Sequence, residues 1–232
     1  MKTNKEYKNE ALAALRGNWP QAVLTSFVVL VFAELIYAFA WGFERIGVSD
    51  FTDKGVWVAP LLSGVMLVAF LSYIFFLTLP VAVGMINAFS RLYSKSEPFV
   101  LWNMKTLAFS DSGRNIAGML MVNVITSLFS ILLVVPGVIA SLALFLVPYL
   151  LKDNPDLSIM DTLRLSRKMM EGHKMQLFKL QLSFFGWILI NMLTLGVGSL
   201  WLIPYMMTAC AAFYQDVKAE YFMKEAQQES AL

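Results

Sequence analysis

Three stretches of the chain contain no Asp, Glu, Lys or Arg: Gly55 to Ser90, Asn115 to Leu151 and Leu180 to Gln215. They are 36, 37 and 36 residues long. A helix crossing a hydrocarbon core about 30 Å thick needs roughly 20 apolar residues, so each run is too long for one simple span and about long enough for two. The composition agrees, with 58% of residues hydrophobic and 15% charged, against roughly 25% charged in an ordinary globular domain. These features imply a chain that folds in a membrane.

A further apolar segment, Ala22 to Phe43, precedes the three runs and follows Lys2, Lys5, Lys8 and Arg16. Ala38-Phe39-Ala40 resembles a signal-peptidase site. The apolar segment is nevertheless longer than the 7–15 residues or so of a signal core, and more apolar runs follow, so it reads as a retained first span. Pro20 lies close to its start, and Trp19 and Trp41 sit near its two ends, where aromatic side chains anchor in the headgroup region.

The runs differ in punctuation. Pro136-Gly137 interrupts the second, and Gly196-Val197-Gly198-Ser199 the third, so each reads as a helical hairpin of two spans. The first has no central break: Pro60 is at its start and Pro80 well past its midpoint. A proline within a membrane helix more often kinks than ends it, so this run reads as one long helix. Charge supports that count, because Lys and Arg concentrate on the cytoplasmic side. With six spans and a cytoplasmic N-terminus, 16 of the 18 cations lie inside, and only Arg45 and Lys54 outside. Seven spans would leave four outside.

The expected architecture is an all-α polytopic membrane protein, with six transmembrane helices as three hairpins and amphipathic cytoplasmic helices. It forms a single integral membrane domain over 1–232. A cytoplasmic N-terminal helix occupies 1–19, four spans 20–151, a cytoplasmic amphipathic helix 152–175, two spans 176–215 and a cytoplasmic tail 216–232.

Within 152–175, Ser158 and Asp161 have capping spacing and Gly172 stands where a helix C-terminal glycine would. Met160, Leu163 and Met170 form an apolar stripe, with Arg164, Arg167 and Lys168 toward the polar side. Such a helix lies at a membrane interface and meets anionic lipid. Two readings fit the three cations: specific headgroup contact, or charge that merely orients the chain. Lys5 to Leu15 and Phe99 to Phe109 allow the same pair of readings.

The last two hairpins share a short internal repeat. Ser141-Leu142 is followed by Val147-Pro148-Tyr149, and Ser199-Leu200 by Ile203-Pro204-Tyr205. Pro80, Pro148 and Pro204 are candidate helix kinks. Broken helices in repeated positions build substrate sites in some transporters, and proline is also common in membrane helices that serve only packing.

Catalytic patterns are absent from the sequence. The single histidine, His173, excludes a multi-histidine metal site. No phosphate-binding glycine loop and no Gly-x-Ser-x-Gly elbow occurs. Asp153-Asn154-Pro155-Asp156 before a capped helix reads as turn chemistry. The lone Cys210 excludes an internal disulfide and reads as a small packing residue. A net charge of +2 without a basic, aromatic-laced groove argues against nucleic acid as a partner. No cofactor is expected.

Glu34 lies near the middle of the first span, where a charged carboxylate costs several kcal/mol, so it is expected to face the bundle interior. By depth its partners would be Tyr37, Asn191 and Thr194. These four form a candidate intramembrane polar site, either a proton or cation site or an interhelical hydrogen bond.

Several segments recur together as a family pattern. They are Gly17-Asn18-Trp19, Asp153-Asn154-Pro155-Asp156-Leu157, Arg167-Lys168-Met169-Met170 with Gly172-His173-Lys174, and Leu193-Thr194-Leu195-Gly196-Val197-Gly198 followed by Trp201-Leu202-Ile203-Pro204-Tyr205. In these the chain resembles the bacterial integral-membrane family catalogued as domain of unknown function 975, most specifically from Val147 to Tyr214. Where that family tends to show an Arg-Gly-Glu-x-Pro-like segment, this chain has Ser94-Lys95-Ser96-Glu97-Pro98. The resemblance implies a bacterial plasma-membrane protein and a distant likeness to the membrane portions of some glycerophosphodiesterases. It implies no activity.

The functional expectation is a non-enzymatic role in binding or assembly, with membrane lipid or another membrane protein as partner. A small transporter with a midplane site near Glu34 is the alternative. A lipid-modifying enzyme ranks last, since no acid, base and nucleophile converge at one depth.

Overall fold

The computed structural model describes residues 2–45, 64–65, 68, 72–73, 79–94 and 112–230. Every regular element among them is helical. Most of the run from Gly55 to Ser90 and all of Phe99 to Phe109 lie outside the described residues, and the expectation of one long helix over that run lies largely outside them too.

The chain opens with α1, Asn4–Leu15, started by a reciprocal cap in which Thr3 and Glu6 each accept from the other's backbone N–H. Tyr7, Ala11 and Leu15 recur every four residues and are fully buried. Gly17, at φ +83°, turns the chain into α2, Trp19–Arg45. Proline at the second position of α2 costs nothing, because the first-turn N–H groups have no intrahelical acceptor. Leu79–Ser94 forms α3, whose Val83, Met85, Phe89 and Leu92 are buried.

The next two elements are α4, Ser112–Leu132, and α5, Val134–Ala143. The reversal between them falls on Leu133, in extended conformation at φ −162° and ψ 146°, not on Pro136-Gly137. The two signal residues act just downstream. Pro136 sits in the first turn of α5, where proline is tolerated. A Cβ on Gly137 would stand 2.8 Å from the Ser130 backbone Cα, so the missing side chain lets α5 approach α4. Near the other end of α4, a Cβ on Gly118 would meet the Leu151 side chain. The chain therefore doubles back along the whole of α4.

Leu144 to Leu146 interrupt that returning arm before α6, Val147–Asp153. Pro148 has no N–H for the Leu144 carbonyl, which accepts from Val147 N–H instead. Pro148 is therefore at a break between two helices and not a kink within one. Ile159–Met169 forms α7, Lys174–Leu182 α8 and Phe185–Leu193 α9. A turn containing Leu195 (φ 52°) and Gly196 (φ 87°) leads into α10, Ser199–Ser230, as the glycines predict. Pro204 lies inside α10, and the helix runs unbroken through Gln215, so the residues expected to form a separate tail continue the same helix.

The main core gathers Tyr7 and Ala11 of α1, Tyr149 and Leu150 of α6, Met169 at the end of α7, and Phe213, Tyr214 and Val217 of α10. Tyr149 stacks on Tyr214 with ring centroids 4.6 Å apart, and Tyr7 meets Phe213 edge-on at 5.8 Å. A second cluster joins α1, α2 and α3 through Leu15, Ala22 and Phe89. A third sets Leu163 of α7 against Leu144, Val147 and Leu151.

Polar contacts collect around this core. Tyr7 donates to Asp216 at 2.6 Å, Tyr93 to Glu10 at 2.6 Å, and Lys2 pairs with Glu10 at 2.9 Å. Tyr214 donates to Asp153, which also pairs with Lys218. Arg114, at the start of α4, donates to the carbonyls of Leu151, Asn154 and Leu157. These carbonyls end α6 and shape the following turn, so one guanidinium satisfies acceptors the helix leaves open.

By contrast, the far turns expose bulky apolar side chains. Ile131, Leu133 and Val134 are exposed at one, and Leu193 and Leu195 at the other. Three helical stretches among the described residues are long and apolar enough to cross a membrane: Gly113–Ile131, Val134–Asp153 and Lys174–Leu193.

Candidate functional site

The amphipathic segment expected over 152–175 provides the site. Ser158 Oγ accepts from Asp161 N–H at 3.1 Å and starts α7 as its spacing predicts. Gly172 adopts φ +83° just past its end. Thr162, Leu163, Ser166 and Met169 are buried, while Arg164, Arg167 and Lys168 are exposed.

A hydrogen bond fixes α7 against the broken arm. In a continuous helix the Ala143 carbonyl would accept from Val147 N–H, which the break diverts to Leu144. Ser166 Oγ, itself buried, donates to the Ala143 carbonyl at 2.9 Å and satisfies it. The proline break therefore creates the anchor point for the basic helix.

Beside this anchor lies a pocket of about 530 Å³. Three stripes line it. From α4 come Ile125 and Phe129; from α5 and its end, Pro136, Ile139, Ala140, Ala143 and Leu144; from α7, Met160, Leu163, Arg164 and Arg167. Lys174, the first residue of α8, completes the wall. Spacings of three and four residues mean that each helix contributes one face. Every wall residue is apolar except the three cations. Arg164 pairs with Asp161 at 3.2 Å across an open surface, where such pairs contribute little. Arg167 and Lys174 have no carboxylate partner among the described residues.

Two of the three cations expected at headgroups, Arg164 and Arg167, thus line the pocket, and Lys168 stands exposed on the same helix outside it. Lys174 is the member that sequence reading missed, because it belongs to the next helix and joins the site only through the turn at Gly172.

The residues proposed around Glu34 are not brought together in this way. Glu34 itself is exposed among the described residues. The side chain of Tyr37 lies outside the described residues. Asn191 exchanges hydrogen bonds with Ser199 at 2.9 and 3.2 Å, and Thr194 accepts from Gly198 N–H at 3.1 Å. Both polar groups close the turn between α9 and α10. Pro80 is buried, and the helix is intact from it to Ser94. The Pro204 carbonyl accepts from Thr208 Oγ1 at 2.8 Å.

Near the site, His173 Nε2 stands 3.6 Å from Glu220, which also pairs with Lys224 at 2.6 Å. Burial holds the His173 imidazole below its ordinary range, against the opposing pull of Glu220. The hydrogen bond from Lys224 holds the Glu220 carboxyl low. Among the described residues no group of three metal-ligating side chains occurs.

A family model described as "Protein of unknown function (DUF975)" matches residues 58–221, more than half of the chain and including every wall of the pocket. The chain belongs to the DUF975 family. This agrees with the resemblance read from the motifs, and the match extends over the looser region around Ser94 to Pro98 as well. No curated protein matches this DUF975 chain. No solved structure matches it either.

Proposed function

We propose that this DUF975 protein is an integral protein of the bacterial plasma membrane with a non-enzymatic role, holding anionic lipid against a basic cytoplasmic face. It spans the bilayer six times as three hairpins, with both termini cytoplasmic. Two physical arguments support the membrane setting. The stretches Gly113–Ile131 and Lys174–Leu193 are 19 and 20 residues long, which at about 1.5 Å per residue gives close to 30 Å, the thickness of a hydrocarbon core. Their far ends expose Ile131, Leu133, Leu193 and Leu195, a surface that water would penalise and lipid would not.

The observation that carries the functional reading is the placement of Arg164, Arg167 and Lys168. Their helix is fixed by Ser166 to the Ala143 carbonyl, where α5 ends midway along the arm Val134–Asp153, and all three cations are exposed together on that one helix. Cations at an anionic surface contribute about 1 kcal/mol each, lost at high salt. Transport is less well supported, because Asn191 and Thr194 serve their own turn.

Reconstitution tests the reading. The protein should unfold at a higher temperature in phosphatidylglycerol vesicles than in phosphatidylcholine vesicles of the same chain composition. The variant Arg164→Gln/Arg167→Gln/Lys168→Gln should lose most of that difference. Equal stability of the wild type in both lipids would refute the reading.

A further inference from the structure

We infer that the pocket between α4, α5 and α7 is a site for one anionic phospholipid, with phosphate at Arg164, Arg167 and Lys174 and an acyl chain running toward Pro136. The inference rests on the lipid-binding reading above and gives it a single defined site.

The pose follows from where the cations meet the walls. Ser166 anchors its helix at the Ala143 carbonyl, so the adjacent Arg167 stands at the Ala143 end of α5. Pro136, Ile139, Ala140 and Ala143 share one face of that helix over about 10 Å. From the Ala143 end the wall continues toward the reversal at Leu133 with no polar side chain, and Phe129 of α4 joins Pro136 in lining it. One end therefore offers charge and donors, and the remainder offers only apolar contact.

A free phosphate would leave the apolar length unfilled, and a neutral hydrocarbon would make no use of the guanidinium donors of Arg167. An amphiphile satisfies both. Arginine guanidinium groups suit phosphate oxygens because their N–H donors form a planar fork. The volume of about 530 Å³ lies in the usual range for a site taking part of one ligand, roughly 300–1,000 Å³. It fits a headgroup with the first part of one chain, leaving the rest of that chain and the second chain in the surrounding lipid.

The test measures lipid retention on the full chain in mild detergent by native mass spectrometry. With added phosphatidylglycerol, one molecule should persist per protein at an activation energy that strips phosphatidylcholine. Ala140→Phe, which fills the apolar length and leaves every charge, should weaken retention at least 10-fold. Arg167→Gln/Lys174→Gln should do the same from the other end. Soluble glycerol phosphate should not compete. Phosphatidylglycerol with a diazirine in one chain, added at one equivalent to the wild type, should crosslink to Ile125, Phe129 or Ile139, which needs no variant to fold. Retention unaffected by Ala140→Phe, competition by glycerol phosphate, or crosslinks scattered over all apolar helices would each overturn the inference. If the vesicle experiment on Arg164, Arg167 and Lys168 succeeds while these fail, the basic face binds lipid diffusely and only the defined site falls. If wild-type stability is the same in both lipids, the broader reading falls first.

Discussion

Removing the Tyr7 hydroxyl tests how the N-terminal helix is held. Tyr7 is fully buried, and its O–H donates to Asp216 Oδ2 at 2.6 Å across 209 residues of sequence. Burial, reinforced by the neighbouring carboxylate, raises the phenol well above its ordinary range, so it remains a donor at any working pH. In Tyr7→Phe the ring keeps its edge contact with Phe213, while the bond to Asp216 is lost together with the long, weak one the hydroxyl accepts from Gln176 at 3.5 Å. Asp216 would retain the Lys2 backbone N–H at 3.2 Å. A hydrogen bond to a charged group contributes about 1.5–3 kcal/mol, and the remaining N–H offsets part of the loss, so a cost of about 1.5–2 kcal/mol is expected. Equilibrium unfolding in mixed micelles would measure it. A double-mutant cycle with Asp216→Asn should return a coupling of about 1 kcal/mol or more, since the two groups touch. A cost below about 0.5 kcal/mol with no coupling would refute the idea that this bond clamps α1 onto α10.

The remaining predictions concern the second run and the pH response. Gly137→Ala should destabilise by about 1–3 kcal/mol in the same unfolding assay, because the new Cβ meets backbone at Ser130 and the backbone cannot swing aside. Ser130→Gly should relieve that cost only in part, since the Cα clash remains. For His173, burial lowers the folded-state value below the ordinary 6.5, so the unfolded chain takes up the proton first. Stability is then complete above pH 6.5 and falls as pH drops below it, until the folded value is passed, by at most about 1.4 kcal/mol per pH unit. His173→Gln should flatten the unfolding profile in that window while leaving the Glu220–Lys224 pair in place.

Local signals were legible wherever their chemistry is local. Ser158, Gly172, Gly196 and Gly198 each need only a few neighbours to act, and α7 and the last turn form where they point. Pro136-Gly137 pointed to a helix reversal in this run and missed its apex by three residues. Proline and glycine there serve the first turn and the close approach of α5, while Leu133 makes the reversal without a distinctive side chain. The facing of Glu34 was not legible for a different reason. Its helix is apolar around most of its circumference, so depth could be counted along it but no side marked as inward. The clamp of Tyr7 on Asp216 joins opposite ends of the chain, and no periodicity reports a pairing of that kind. The pocket likewise needs three helices and a first residue of a fourth, and only its Arg164 and Arg167 carried a signal of their own.

Sidedness of labelling tests the central claim, a membrane bundle with its basic face on the cytoplasmic side. In a Cys210→Ala background, which removes the single native thiol, Asp50→Cys and Met160→Cys would be treated in intact cells with a maleimide that cannot cross the membrane. The thiol at position 50 should label in intact cells, and the thiol at position 160 only after permeabilisation. Labelling of position 160 but not position 50 in intact cells would contradict the topology, and with it the placement of Arg164 and Arg167 at the cytoplasmic leaflet.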